Sequence, residues 1–90
     1  MKVLFKPSFL KDFKKLPSHI QEKAERICFS IFPEAQSVFD LKGLEIKKIQ
    51  GYNFYYRFKI GDYRFGFKQE DKAIIFARAL HRKDIYRFFP

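Results

Sequence analysis

Residues 52–67, which read YNFYYRFKIGDYRFGF, decide the fold of this chain. Apolar and polar side chains alternate on both sides of the dipeptide Gly61-Asp62, which is typical of a tight turn. Alternation with a period of two indicates a β-strand with one buried and one exposed face. The stretch therefore predicts a β-hairpin with strands at 52–60 and 63–67. Its buried face is expected to carry Phe54, Tyr56, Phe58, Ile60, Tyr63, Phe65 and Phe67.

Two further strands are predicted on either side of this hairpin in the sequence. A turn at 69–72 leads into a third strand at 73–80, which is apolar on both faces and is therefore expected to be central in the sheet. Residues 2–6 (KVLFK) predict a short N-terminal strand that stops at Pro7. We expect this first strand to add to the sheet beside the third strand of the meander.

The segment between the first strand and the hairpin has helical spacing. Ser8 is expected to be the N-cap of a helix over 9–16. Ser18, followed by Gln21 three residues later, predicts a capping box at the start of a second helix that ends at Pro33. The short connection makes the two helices an antiparallel hairpin. The second helix carries an apolar stripe of Ile20, Ala24, Ile27, Cys28 and Ile31.

These elements predict one α+β domain that spans residues 1–90. Its parts are an N-terminal strand, an antiparallel two-helix hairpin and a three-stranded antiparallel meander, with residues 33–43 as a connecting segment. The expected architecture packs both helices on one face of a four-stranded sheet.

The charge of the chain is strongly positive and unevenly distributed. Nineteen Lys and Arg residues against ten Asp and Glu give a net charge of +9, and twelve of the nineteen lie in residues 42–90. Such a field favours a polyanionic partner, and RNA, DNA and an acidic protein all fit it.

Other residues exclude several classes of protein. The chain has one cysteine, Cys28, so it forms no intrachain disulfide, and we expect a buried structural thiol rather than a nucleophile. The two histidines, His19 and His81, have no metal-ligand spacing, and no metal or cofactor is predicted. His19 is expected to be an exposed surface residue. Without a signal-peptide pattern or an apolar run of about 18 residues, the chain is expected to be cytoplasmic and not membrane-bound.

Strand alternation places Arg57, Lys59 and Arg64 on the face of the hairpin opposite the buried one. Three neighbouring cations form either an ordinary solvated sheet face or a site for an anion. The tail at 81–86 (HRKDIY) follows the third strand directly and is expected to reach the edge of this face. Cleavage of RNA by its own 2′-hydroxyl needs a base, cationic donors for the phosphate and an acid for the leaving oxygen. The cations together with His81, Arg82 and Tyr86 offer all three without a metal.

Four segments occur together in an order that resembles the RelE/ParE toxin superfamily, and especially its archaeal RelE members. They are residues 9–17 (FLKDFKKLP), 47–51 (KKIQG), 56–64 (YRFKIGDYR) and 81–86 (HRKDIY). The resemblance implies a toxin of a type II toxin–antitoxin system that cleaves mRNA at the ribosomal A site without a metal. It also implies a cognate RelB-type antitoxin as partner, beside the ribosome and mRNA.

The resemblance assigns roles to the residues that match the family's motifs. Arg57 and Lys59 match its cationic strand pair, Arg64 and Arg82 match arginines at the substrate, and Tyr86 matches a tyrosine that stacks on or protonates the substrate. Because an arginine is a poor general base, we expect His81 to be the base, with Lys59 as second choice. The remaining cations expected to contact RNA are Lys47, Lys48, Lys83 and Arg87.

Two alternatives stay open at this stage. The first is a ParE-like inhibitor of DNA gyrase without ribonuclease activity, and the second is a non-enzymatic RNA-binding module. The set formed by Arg64, His81, Arg82 and Tyr86 favours the nuclease, because a pure inhibitor does not need groups that transfer protons.

Overall fold

The computed structural model describes residues 1–90, apart from the side chain of Lys42. The elements, in chain order, are β1 (Lys2–Phe5), α1 (Pro7–Lys14), α2 (Ser18–Arg26), α3 (Phe32–Glu34), β2 (Lys47–Lys48), β3 (Tyr55–Ile60), β4 (Tyr63–Glu70), β5 (Ala73–His81) and α4 (Ile85–Phe88). A π-helical turn at Ile27–Ile31 joins α2 to α3 without a break, and two short 3-10 turns lie at Val38–Asp40 and Lys42–Leu44. None of the described helices is long and apolar enough to cross a membrane.

One mixed sheet of five strands forms the centre of the protein, in the order β1-β5-β4-β3-β2. The strand β1 runs parallel to β5, and the remaining neighbours are antiparallel. The predicted α+β class and the position of β1 beside β5 are confirmed. The predicted count of four strands is wrong, because Lys47 and Lys48 pair with Arg57 and Tyr56 as a fifth, two-residue strand.

Both predicted helix starts differ from the structure. The helix α1 begins at Pro7, whose fixed φ suits the first position of a helix, and Lys6 is its cap residue. Ser8 is therefore inside the helix, where its hydroxyl donates a hydrogen bond of 2.7 Å to the carbonyl oxygen of Ala77. Ser8 therefore does not cap the helix but connects α1 to the sheet.

The predicted capping box at the second helix is also absent. Pro17 is the cap residue of α2, and Ser18 makes no capping hydrogen bond from its side chain. The amide of Gln21 reaches back and donates to the carbonyl oxygen of Phe13 at 3.0 Å. The same oxygen also accepts from the backbone amide of Leu16 at 3.2 Å, so the Gln21 contact ties α2 to the end of α1 as a second hydrogen bond.

The main core lies between the helices and the sheet and is built largely from phenylalanine rings. Phe58 and Phe65 stack with their ring centroids 5.2 Å apart, and Phe32 packs edge-on against Phe67 at 5.5 Å. Aromatic rings bury large areas, so a few of them suffice for a small domain. Four of the five residues of the helical stripe are buried, and Ile31 is half-buried. The fully buried phenylalanines are Phe9, Phe32, Phe58, Phe65, Phe67 and Phe76.

The ends of the hairpin strands differ from the predicted ones. Phe54, expected in the core, is 60% exposed and has a left-handed φ of 71°, because β3 begins only at Tyr55. The turn at Gly61-Asp62 is confirmed, and Gly61 has a φ of 59° there. The second turn is shorter than predicted, since β4 continues through Glu70, which pairs with Ala73.

The edge of β5 is covered by two different elements. The strand β1 pairs with β5 only as far as Phe76, and α1 lies against the part of β5 that follows. There the buried carboxylate of Asp12 accepts hydrogen bonds from Nε and Nη2 of Arg78, at 2.8 and 3.1 Å, and from the backbone amide of Ala79 at 3.0 Å. The hydrogen bonds to Asp12 raise the pKa of Arg78 above its ordinary value.

Replacement of Asp12 by alanine is expected to lower the free energy of unfolding by about 2–4 kcal/mol, because it leaves a partly buried guanidinium and a buried amide without an acceptor. Equilibrium unfolding in urea measures this change. The control is Glu22→Ala, at an exposed position of α2, which is expected to change the stability by less than about 0.5 kcal/mol. Equal effects of the two substitutions would contradict a structural role for Asp12.

Candidate functional site

The C-terminal tail folds over the face of the sheet that the helices leave open. A second, smaller core forms there from Ile49, Ala77, Ile85 and Phe89. Ile85 is fully buried and Phe89 is 3% exposed, so both ends of α4 are fixed to the sheet. The short helix α4 was not predicted from the sequence.

Gly66 makes this docking possible. A Cβ atom at position 66 would lie 2.5 Å from Cδ2 of Phe89, closer than side-chain atoms approach one another. The Phe89 ring therefore rests directly on the backbone of β4. Tyr55 packs edge-on against the same ring, with centroids 5.7 Å apart.

The predicted cationic residues lie beside the docked tail. Lys59 pairs directly with Arg64 across β3 and β4, and Arg57 lies two residues further along β3. The three therefore share one face, as the alternation predicts. Among the described residues none of these three cations forms an ion pair. An unpaired cluster of like charges attracts an anion.

Arg57 and Tyr86 meet at the centre of this face. The guanidinium carbon of Arg57 lies over the Tyr86 ring, 5.8 Å from its centroid, and the tyrosine side chain is 58% exposed. Cation–π contact of this kind holds the two groups together without neutralising the charge. They line an open groove of about 510 Å³, together with Lys48, Ile49, Gln50, Tyr52, Phe89 and Pro90.

Arg64 and Arg82 converge on the turn between β3 and β4. Nη1 of Arg64 donates to the carbonyl oxygen of Gly61 at 3.0 Å. The backbone amide of Arg82 donates to the carbonyl oxygen of Asp62 at 2.8 Å, and its guanidinium lies 3.9 Å from the Asp62 carboxylate. Both arginines thus lie at the end of the hairpin beyond Lys59.

His81 lies away from the cationic face. It pairs with Tyr63 across β4 and β5, and the two rings touch edge-on with centroids 5.4 Å apart. Tyr63 packs on the main core, so the histidine is on the helix side of the sheet. Its Nδ1 accepts a hydrogen bond of 3.2 Å from the backbone amide of Lys83. The tail thus reaches the cationic face with Tyr86, as expected, whereas His81 at its start does not.

The other predicted RNA contacts surround the groove or the tail. Lys47 pairs with Arg57 across β2 and β3, and Lys48 lines the groove. Arg87 lies 3.9 Å from the Asp84 carboxylate, and Lys83 is exposed. Sequence reasoning missed Gln50 and Tyr52, which line the groove; Tyr52 was assigned to a strand that in the structure begins three residues later.

Cys28 lies in the main core and not on this face. Burial raises the pKa of the Cys28 thiol far above its usual range, so the thiol is protonated and unreactive. Among the described residues, no three His, Cys, Asp or Glu side chains come together as metal ligands. What the site offers is guanidinium and ammonium groups beside an exposed phenol, which suits a phosphate ester with an attached aromatic base.

Comparison with known proteins agrees with this fold along the whole chain. The sequence model of the ParE toxin of the type II toxin–antitoxin system parDE matches residues 3–86. Toxin RelE3 of Methanocaldococcus jannaschii is 48% identical over 90 residues, which cover 100% of both chains. These matches show that the chain belongs to the RelE/ParE family of toxins from type II toxin–antitoxin systems. The similarity to toxin RelE3 makes it a toxin of the RelE type, as the sequence motifs predicted.

Solved structures agree with this assignment. A chain in the RelB–RelE antitoxin–toxin complex from Methanococcus jannaschii superposes with a TM-score of 0.82 at 45% identity, over 97% of this chain and 99% of that one. YafQ from E. coli superposes with a TM-score of 0.70 over 98% of each chain. At 15% identity, this second match shows the fold alone.

Replacement of Gly66 by alanine is expected to displace Phe89 and with it α4, because the added methyl group has no space. We expect a loss of about 1–3 kcal/mol in the free energy of unfolding, together with faster proteolysis within residues 82–90. Gly43→Ala is the matched control, since a Cβ there meets nothing within 4 Å. If residues 82–90 resisted proteolysis equally in the two variants, the docking of Phe89 would not depend on its contact with Gly66.

Proposed function

We propose that this toxin is an endoribonuclease that cleaves mRNA in the A site of the ribosome. The observation that carries the proposal is the contact between Arg57 and the exposed Tyr86 ring, at an open groove on a face of unpaired cations. A phosphate bound by Arg57 lies next to a phenol that can both donate a proton and stack on a base. Because its substrate is on the ribosome, the toxin acts in the cytoplasm.

Cleavage proceeds by attack of a 2′-hydroxyl oxygen on the adjacent phosphorus atom. The bond from phosphorus to the 5′-oxygen breaks, and a 2′,3′-cyclic phosphate remains. Arg57 stabilises the negative charge that builds on the phosphate oxygens, and Tyr86 donates a proton to the leaving oxygen. Arg64 and Arg82, at the end of the hairpin, bind the RNA backbone.

The base for the 2′-hydroxyl is Lys59 in this proposal. His81, the first choice from the sequence, faces the helix side of the sheet. Lys59 is exposed on the same face as Arg57, two residues away along β3. An ammonium group releases a proton more readily than a guanidinium. The neutral amine of Lys59 takes the proton of the 2′-hydroxyl, and Lys59 is therefore the better base among the cations of the strand.

A cognate RelB-type antitoxin is the proposed inhibitor. The support is the similar toxin of Methanococcus jannaschii, which was solved as a RelB–RelE antitoxin–toxin complex. The toxin itself offers a basic face, with the exposed rings of Tyr86 and Phe88 beside it. An amphipathic acidic segment that covers this face would neutralise the cations and exclude RNA.

Inhibition of DNA gyrase is the second candidate, because the matching family model is that of the ParE toxin. A gyrase inhibitor would use the basic face for a protein or DNA contact and would leave RNA intact. A non-enzymatic RNA-binding module would also leave RNA intact, because it would bind ribosomes without cleaving the mRNA.

Cleavage of mRNA on programmed ribosomes, mapped by primer extension, tests the nuclease. We expect Arg57→Ala and Tyr86→Ala each to slow cleavage on the order of 100-fold, because each removes a group that stabilises the transition state. The control Lys72→Ala removes an exposed cation at the turn between β4 and β5 and is expected to cleave at the wild-type rate. Intact mRNA with wild-type toxin, combined with loss of gyrase supercoiling, would overturn the proposal in favour of the ParE-like function.

The same assay decides between the two bases. We expect Lys59→Met to abolish most cleavage and His81→Gln to retain it, because the His81 ring packs on Tyr63. The reverse result would return the base role to His81 and would mean that the tail rearranges on the ribosome.

Co-expression with the product of an adjacent open reading frame tests the antitoxin. We expect a stable complex that elutes as one species and blocks mRNA cleavage. Replacement of Arg57 and Lys59 together by glutamate should weaken this complex, whereas Lys72→Glu should not. If purified toxin and the adjacent gene product stay separate, the antitoxin proposal fails.

A further inference from the structure

The groove at Arg57 has a second wall that the cleavage step does not use. Gln50 and Tyr52 form this wall, and the side chain of Tyr52 is 51% exposed. The floor is apolar, with Ile49 8% exposed and Phe89 3% exposed. A cavity volume of about 510 Å³ lies within the range of small-molecule sites.

A tight turn places the two residues of this wall. The backbone amide of Tyr52 donates to the carbonyl oxygen of Ile49 at 3.2 Å, and Gly51 between them has a φ of 86°. A positive φ at the third residue of a turn is the conformation that glycine supplies. Gln50 and Tyr52 are therefore carried by a defined turn.

The Tyr52 ring is held in place by other rings. It packs edge-on against Tyr55, with centroids 6.1 Å apart, and Tyr55 packs in turn against Phe89. This row of three rings connects the second wall to the tail that carries Tyr86. A ring that is already fixed loses little conformational entropy when a flat ligand stacks on it.

The lining has the chemistry that recognises an unpaired nucleobase. Its polar side chains are two cations, one amide and two phenols, and none of the lining side chains is acidic. Unpaired bases of RNA stack on aromatic side chains, while their edges form hydrogen bonds with side-chain amides. The glutamine amide offers a donor and an acceptor side by side, which matches adenine in particular.

We propose that this groove binds one unpaired nucleobase of the RNA substrate, with Tyr52 stacked on the base and Gln50 reading its edge. The base lies next to the phosphate that Arg57 binds. This proposal rests on the proposed function, since it names the part of the substrate that the toxin reads. It makes Tyr52 and Gln50 specificity-determining residues that take no part in proton transfer.

Binding of short fluorescent oligoribonucleotides, followed by anisotropy, tests the groove. The probes are an oligoadenylate and an oligouridylate with 2′-O-methyl groups, which prevent cleavage, and an abasic oligomer of the same length. We expect Tyr52→Ala to weaken binding of the oligoadenylate roughly 5- to 150-fold, which is the usual effect of one lost stacking partner. Binding of the abasic oligomer should not change, because it depends on the phosphates alone.

Two further variants sharpen the test. Phe54→Ala removes another exposed aromatic ring, which lies two residues away and lines a different groove; it should bind all probes as the wild type does. Tyr52→Phe keeps the ring and should retain binding. Gln50→Leu should reduce the preference for oligoadenylate over oligouridylate, since it removes both hydrogen-bonding groups.

The outcomes separate this inference from the proposed function. Suppose that wild-type toxin does not cleave mRNA, but Tyr52→Ala still weakens binding of the oligoadenylate and not of the abasic oligomer. The groove is then a base-binding site, and only the nuclease proposal fails. If cleavage holds and Tyr52→Ala binds oligoadenylate like the wild type, the groove proposal is overturned alone. A loss of antitoxin binding in Tyr52→Ala, with RNA binding intact, would overturn it in favour of a protein segment.

Discussion

The carboxylate of Asp12 joins the helix α1 to the strand β5, and the arrangement of both layers depends on this contact. β1 covers the edge of β5 only as far as Phe76, and a buried strand edge needs partners for its amide and carbonyl groups. Asp12 supplies acceptors for Ala79 and Arg78, while Ser8, one turn earlier, donates to Ala77. One helix thus replaces the missing strand through two side chains, and this fixes the helical layer on its face of the sheet.

Because the helices occupy one face, the opposite face is free for a different use. Part of it is closed by α4 through Ile85 and Phe89, and the part beside it stays open and basic. The guanidinium of Arg78 takes part in both arrangements. It binds Asp12 on one side and lies over the Phe88 ring, 5.2 Å from its centroid, on the other. The same side chain therefore couples the helix that covers the strand edge to the tail that completes the groove.

Sequence alternation predicts the middle of the hairpin correctly, because apolar side chains alternate with a cation or glycine over 56–60 and 63–67. It places Arg57, Lys59 and Arg64 on one face for the same reason. It misplaces the strand ends, where Tyr55 and Tyr56 are both aromatic and residues 68–70 are all polar. The sequence does not predict which face of the sheet His81 lies on. The strand β5 is apolar on both faces, so it has no alternation that would assign its residues to one face or the other. The sequence predicts Ser8 as a helix cap, whereas its hydroxyl binds the carbonyl oxygen of Ala77. A partner so distant in sequence cannot be predicted from local spacing.

The groove itself was beyond sequence reasoning. It arises where the turn at Gly51 meets the tail, and both positions are set by contacts between distant residues. A glycine in a strand pattern, such as Gly66, indicates that another group approaches the backbone closely. The pattern does not say which group, and here it is the ring of Phe89.

Because Phe89 docks on Gly66, the stability of the groove differs from that of the rest of the protein. All strands and the whole helical layer lie before residue 82, whereas the groove is closed by residues 85–90. Local unfolding of residues 85–90 would therefore part Tyr86 from Arg57 and open the groove, while the sheet and the main core stay folded. The groove is thus less stable than the scaffold that carries it, because a few contacts of one short helix hold it closed.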